Sequence, residues 1–312
     1  MGKIKNIIML ASLLLLIALI SSCKSRSSDA LPELDYRAGS SGITIKYLTD
    51  ITPSQIDEGE TFILGMKVTN EGAADVDVVN FVLSGYNSAY FPTVDPREIP
   101  QFSMKGKSKY DPVGEEKILT FNIKNLKAPT ENYEAVFLST VCYKYKTIAT
   151  TDICIVTDVA ELTKLVKPPC TAKSSISLSS QGAPVTVTKV EPNIYKDRDI
   201  LKADFKIYID NKGKGNVRLK ESFDKECTGS SALKKEDINN VSVKVYLGNE
   251  KICEGSYMIK KQGLGEKTDN YYKCSTIIQQ NIESYLTFLK VDLDYGYVQT
   301  ESKKIKVKKP TD

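Results

Sequence analysis

The 312-residue chain contains no histidine and no tryptophan. Without histidine it has no Ser-His-Asp triad, no Cys-His pair and no His-ligated metal centre. Excess charge of either sign is also missing. Lysine and arginine number 43 against 39 acidic residues, a formal net charge of +4. That balance is too mild to point to nucleic acid. Long helical periodicity is nearly absent as well. What is present is an ordinary globular mixture, 41% hydrophobic and 26% charged. The length suffices for about two domains of ~100–150 residues, each able to bury a core.

The N-terminus predicts an address. Lys3 and Lys5 precede Ile7–Ile20, an apolar run broken only by Ser12. The run is shorter than the ~20 residues a membrane-spanning helix needs, and it has the length of a signal-peptide core. Ile20-Ser21-Ser22-Cys23 then resembles a prokaryotic lipobox, in which small residues fit the peptidase cleft and the thiol accepts lipid. Residues 1–22 are thus expected to be a signal peptide and Cys23 a lipid anchor, with the membrane as partner. A plain secretory signal cut near Ser22 and an uncleaved anchor are the alternatives. Residues 23–41 are polar and Ser-rich and are expected to be a tether. Its coil residues reach on the order of 25 Å.

Six further cysteines, Cys142, Cys154, Cys170, Cys227, Cys253 and Cys274, are an even number in an exported chain and predict disulfides. No CxxC spacing favours metal instead. VCYKYKTIATTDICIV reads as two strands around a turn near Ile148-Ala149. Cys142 and Cys154 would then face each other across the hairpin, close enough to bridge. Cys253–Cys274 is expected to clip two strands of the second half. Cys170–Cys227 follows partly by elimination.

A weak internal repeat runs through the chain. Met66-Lys67-Val68-Thr69-Asn70-Glu71-Gly72 matches Ile207-Tyr208-Ile209-Asp210-Asn211-Lys212-Gly213. Apolar residues alternate, as in a half-buried strand, before Asn-x-Gly turns the chain. Tyr143-Lys144-Tyr145 similarly matches Tyr295-Gly296-Tyr297. Six or seven short strands per half, separated by turn signals, predict an all-β chain of two tandem immunoglobulin-like β-sandwiches. Their expected bounds are 42–157 and 184–312. The junction 158–183 holds a possible short helix, Val159–Val166.

The strand ending in Asn-x-Gly resembles the immunoglobulin-like modules of the CARDB kind, found in prokaryotic surface proteins. A closer resemblance covers most of the chain beyond the signal. CYKYKT with DICIV, then QGAPVTVTKVE, FKIYIDNKGKGNV, VYLGNEKIC and LDYGY are similar to archaeal envelope proteins with a like signal, two β-domains and similarly spaced cysteines. That resemblance implies fold and location and carries over no catalytic residue.

Little else suggests chemistry. Gly263-Leu264-Gly265 lacks the third glycine and the helix of a dinucleotide fingerprint. Asp75 and Asp77 share a strand face without a calcium-loop spacing. Lys303, Lys304, Lys306, Lys308 and Lys309 read as the solvent face of a terminal strand, or as a basic stripe for anionic headgroups. Asn240-Val241-Ser242 is a glycosylation sequon. Residues 86–116 form a long, turn-rich insertion carrying Tyr86, Tyr90, Phe91, Arg97, Phe102 and Tyr110. It is the candidate contact loop, the alternative being a loop packed on itself over a sheet edge.

The expectation is a non-catalytic, membrane-anchored, extracytoplasmic protein displaying a binding or adhesion surface. It has no cofactor, metal or nucleic-acid partner, and contacts another envelope protein or itself. A self-assembling structural subunit, or an accessory ligand-binding domain of an envelope transporter or enzyme, are the other readings.

Overall fold

Fifteen strands carry the architecture of the computed structural model, which describes residues 35–92, 101–123, 128–131, 133–156, 169–198, 200–260, 270–278 and 284–309. The signal segment, Cys23, Arg97, the Val159–Val166 helix and Gly263-Leu264-Gly265 lie outside the described residues. The first half supplies β1 (Ile43–Tyr47), β2 (Gln55–Asp57), β3 (Phe62–Asn70), β4 (Val76–Ser84), β5 (Gln101–Met104), β6 (Glu116–Ile123) and β7 (Tyr133–Ile155). The second supplies β8 (Ile176–Ser177), β9 (Val185–Asp197), β10 (Ile200–Asn211), β11 (Asn216–Arg218), β12 (Asn240–Leu247), β13 (Glu250–Met258), β14 (Tyr272–Ile278) and β15 (Tyr285–Lys308). Alternation builds these strands. Along β10, Leu201, Ala203, Phe205, Ile207 and Ile209 are buried while the residues between them are more exposed, the period-two pattern of a strand with one core face.

The fold is all-β. Among the described residues three sheets form, ordered β1-β3-β6, β14-β10-β9-β8 and β13-β12-β15-β7-β4-β5, with β11 and β2 also pairing with β15. Pairing is antiparallel except between β2 and β15. The order β1-β3-β6 in the first half recurs as β9-β10-β14 in the second. In the large sheet, β5-β4-β7 recurs as β13-β12-β15, so that sheet reads alike from either edge about its central β7–β15 pair.

The hairpin expected around Ile148-Ala149 does not form, and its counterpart in the second half is likewise continuous. β7 and β15 run unbroken for 23 and 24 residues. Lys146-Thr147-Ile148-Ala149 offers no Gly, Pro, Asn or Asp to reverse the chain, and burial alternates straight through it, with Thr147 and Ala149 buried. Instead β7 and β15 pair with each other, Tyr133 opposite Val307 through to Ile155 opposite Tyr285. The end of β15, with buried Ile305 and Val307, therefore lies against the start of β7 and against β2. The end of β7 reaches the second half in the same way. Thr147 Oγ1 donates to the Val185 carbonyl of β9 at 2.6 Å. The two halves share one sheet.

The centre of that ribbon is a near two-fold. Lys144 lies opposite Gly296, its equivalent in the repeat, with Tyr143 opposite Tyr297 and Tyr145 opposite Tyr295. Four tyrosines therefore meet, with ring centroids 5.7–6.3 Å apart. Their hydroxyls fasten the same points in each half. Tyr143 accepts from Ile43 N at 2.9 Å, and Tyr295 accepts from Val185 N at 3.3 Å. These are the first residues of β1 and β9. Tyr145 accepts from Ala74 N at 3.2 Å, and Tyr297 accepts from Gly215 N at 2.9 Å. Those amides sit on the Asn-x-Gly turns. Asn70 and Asn211 each accept from a glycine N–H, Gly72 or Gly213, at 3.2 Å. Each also donates to the carbonyl of Ala74 or Gly215 at 2.9 Å. The glycines are required because a Cβ at Gly72 or Gly213 would collide with the hydroxyl of Tyr145 or Tyr297. The two short repeated motifs are thus partners in one buried network.

Burial fixes the titration of this network. Tyr143 and Tyr295 are held well above 10, mainly by desolvation, Tyr145 is raised for the same reason, and Tyr297 is pushed up to about 12. In the unfolded chain tyrosine ionises near ~10. The stability held in the neutral hydroxyls is therefore complete below pH ~10 and is lost as pH rises toward the folded values. Alkaline titration should show cooperative loss of β circular dichroism above pH ~10 together with a delayed block of tyrosinate absorbance. If all seventeen tyrosines ionised smoothly with the fold intact, the network would not be the buried centre described.

Candidate functional site

The disulfides differ from expectation at two of three places. Cys142 bonds Cys227, Cys154 bonds Cys170 and Cys253 bonds Cys274, with Cα–Cα distances of 6.1, 5.7 and 5.9 Å. Cys142 and Cys154 lie on one uninterrupted strand. At ~3.3 Å per residue they are about 40 Å apart, far beyond the ~7 Å limit for a bridge. The Cys170–Cys227 pairing falls with them. Cys253–Cys274 is as expected and ties β13 of the large sheet to β14 of the four-stranded one.

Cys227 sits on an excursion, residues 219–239, that separates β11 from β12 where the first half has the continuous strand β4. The excursion contains a short helix, α1 (Lys225–Thr228), and lies over the outer face of the central ribbon. A Cβ at Gly296 would stand 2.6 Å from the Phe223 Cβ, so glycine at the two-fold position lets the excursion seat. Lys144, its counterpart, places Nζ 4.9 Å from the Phe223 ring centroid, a cation–π contact. Buried Arg218 forks onto Glu226 at 2.9 and 2.8 Å. Buried Asp237 accepts from Ser222 Oγ at 2.5 Å, Lys225 Nζ at 2.7 Å and Lys234 N at 2.8 Å. Those donors, Lys225 first, hold its carboxyl well below the usual range. The Cys142–Cys227 bond thus clamps a piece of the second half onto β7 of the first.

The contact-loop residues are placed differently from expectation. Phe91 is fully buried, with centroids 5.4 Å from Phe137 and 6.2 Å from Tyr133. Tyr86 stacks on Phe137 at 5.4 Å, and Tyr90 meets Tyr133 edge-on at 5.9 Å. Phe102, on β5, is half-buried against the core. The start of β7 offers an apolar pad, and the loop's aromatics cover it. Tyr110, at 95% exposure, is presented to solvent. Of the other candidates, Asp75 accepts from Lys105 Nζ at 2.8 Å and Gly106 N at 2.9 Å, which lowers its pKa. Lys304 pairs with Glu134 at 2.8 Å, and β2 covers the terminal strand's edge. Asn240 Nδ2 donates to the Glu236 carbonyl at 3.1 Å.

A concavity lies elsewhere, along β1. A groove of about 640 Å³ is bounded by β1, by the Lys212-Gly213-Lys214 turn and by a floor of Gln299, Glu301 and Lys303 from β15. No strand flanks β1 on this side among the described residues. The floor residues belong to the same face of β15 as Tyr295, Tyr297, Ile305 and Val307. Three polar side chains interrupt an apolar inner row, and that interruption is the sequence signal that could have located the groove.

No protein-family model matches the chain, and no curated protein matches it. A solved structure similar over 84% of this chain, at 12% identity and a TM-score of 0.21, is the secreted serine protease VesC from Vibrio cholerae. The chain spans about half the length of that protein. This finding corrects the expectation of a non-catalytic protein, which no longer stands as a conclusion. At that identity and TM-score the likeness establishes no enzymatic activity either.

The clamp has a measurable weight. Cys142–Cys227 closes a loop of 85 residues and Cys154–Cys170 one of 16. By loop-closure entropy, replacing the first pair with alanine should cost about 4.5 kcal/mol and the second about 3 kcal/mol. Urea unfolding of the two double variants measures both. An equal or smaller loss for Cys142→Ala/Cys227→Ala would contradict this ranking.

Proposed function

We propose that the protein is a lipid-anchored component of the cell envelope whose β-body presents a contact surface to another envelope protein. The observation that carries this reading is the cysteine arithmetic. The chain has seven cysteines, and six of them close three bridges within the body. Cys23, directly after an apolar run and two serines, is left over for a separate use. Three bridges are consistent with an oxidising compartment outside the cytoplasm. No helix among the described residues is long and apolar enough to cross a membrane. In this reading attachment is through the lipid on Cys23.

The body, in this reading, is two immunoglobulin-like modules of the CARDB kind fused through one sheet. Matched strand orders and matched Tyr–turn hydrogen bonds support two copies of one module. The similarity to archaeal envelope proteins supports the location.

The anchor is tested by intact mass and membrane fractionation. The mature chain should begin at Cys23 with added lipid mass and sediment with membranes. Cys23→Ser should move to the soluble fraction with its three bridges intact. A mature chain beginning at Cys23 without lipid mass would sink the proposal.

A further inference from the structure

The second half shows what the open edge of β1 lacks. β9 is the counterpart of β1, and its outer edge is covered twice. Strand β8 pairs with it, Ile176 opposite Val190 and Ser177 opposite Lys189. Leu178 N also donates to the Thr188 carbonyl at 3.0 Å. One step along, the Gln181 carboxamide takes the place of a peptide group. Its Oε1 accepts from Val187 N at 3.0 Å, and its Nε2 donates to the Val187 carbonyl at 3.1 Å. The residue at the matching position before β1 is Gly39, which has no side chain to do this.

The direction of the free groups follows from the ladder. Glu71 N donates to the Gly42 carbonyl, and Leu48 N to the Gly65 carbonyl. In an antiparallel pair, hydrogen-bonded positions alternate. Gly42, Thr44, Lys46 and Leu48 therefore face β3, while Ile45 and Tyr47 turn their N–H and C=O groups toward the groove. The matching residue in β9 is Val187, the one served by Gln181. The lead-in to β1 is tied down at two points. Gly39 N donates to Ser180 Oγ at 3.1 Å, and Lys107 Nζ donates to the Ala38 carbonyl at 3.0 Å.

We propose that the groove along β1 takes an extended acidic peptide segment of a partner protein, which pairs with Ile45 and Tyr47 as an added strand. Backbone pairing supplies the binding, and the walls supply the selection. The walls carry Lys46, Lys212, Lys214 and Lys303 against Glu71 and Glu301. The floor differs from its counterpart in the same sense. Under β9 the matching positions of β7 are Thr147, Ala149 and Thr151. Here they are Gln299, Glu301 and Lys303, long polar chains suited to a polar occupant. The inference rests on the contact-surface reading above and names its chemistry, but it does not depend on the anchor.

The test uses the full chain in detergent micelles and its Cys23→Ser form. The probes are a short synthetic peptide of alternating glutamate and threonine and its lysine–threonine counterpart. Amide exchange is followed at Ile45 and Tyr47, and fluorescence anisotropy of the labelled peptide reports affinity. The acidic peptide should slow exchange at both amides in both forms of the protein, and the basic one should not. Lys214→Glu/Lys303→Glu should weaken binding by about tenfold or more at low salt. If that variant fails to fold, the two-peptide comparison on the unaltered chain still decides. Three results would overturn the proposal: no protection at Ile45 and Tyr47, equal protection by both peptides, or protection without peptide that grows with protein concentration. The last would make the edge a site of self-pairing. Loss of the lipid with protection retained would remove the anchor alone.

Discussion

The pairing of β7 with β15 is the constraint on which the rest of the structure depends. Strands in globular proteins usually run about 3–10 residues, and these exceed twice that length. A two-stranded ribbon so long is unstable alone, because both faces and both edges need covering. Here β4 and β12 take the edges, and the two smaller sheets and the excursion take the faces. Because the strands cross at their repeat-equivalent residues, Lys144 and Gly296, each carries its second part into the other half. Ile305 and Val307 belong by sequence to the second half and by packing to the first. Each half supplies part of the other's sheet, much as in a domain swap held within one chain.

The tyrosines convert this crossing into a fixed arrangement. A buried hydroxyl without a partner costs about 1–3 kcal/mol, so each of the four must find one where it lands. The partners are the first amides of β1 and β9 and the amides beyond the two Asn-x-Gly turns. Those are the points at which the smaller sheets join the ribbon. The same four hydroxyls therefore set the register of the large sheet against the others. That explains why the aligned pieces of sequence were these two and so little else. They are the two sides of one contact, present twice.

Most strands were legible because period-two alternation reports local burial directly. What alternation does not report is the identity of a strand's neighbour. The turn expected near Ile148-Ala149 rests only on two cysteines flanking it symmetrically, although the stretch Lys146–Ala149 holds no turn-forming residue. That one reading produced both wrong disulfides. Cys253–Cys274 was legible because its strands belong to one half and lie close in sequence. The aromatic loop is open to both readings for a related reason. Tyr86, Tyr90 and Phe91 are indistinguishable by composition from a contact surface until Tyr133 and Phe137 are seen beneath them. The groove left a trace, the polar row Gln299, Glu301 and Lys303. Its meaning depends on knowing that β15 continues through it, which alternation alone does not report.

Differences between the two halves carry a different kind of information from their likenesses. Interactions present in both, such as the tyrosine–turn bonds, are what the shared architecture requires. Where the halves diverge, the architecture tolerates either state, and something else decides. At the two-fold, Gly296 instead of a lysine admits Phe223 and lets the excursion bridge to Cys142, so the crossing is locked on one face. At the strand edges, Gln181 and β8 close β9, while among the described residues no strand pairs with the outer edge of β1 and Gly39 has no side chain to serve it. An uncovered edge is a liability that folded proteins ordinarily blunt. Charged side chains along the groove blunt it here against indiscriminate pairing. They leave the backbone groups of Ile45 and Tyr47 available to a strand that brings the complementary charge.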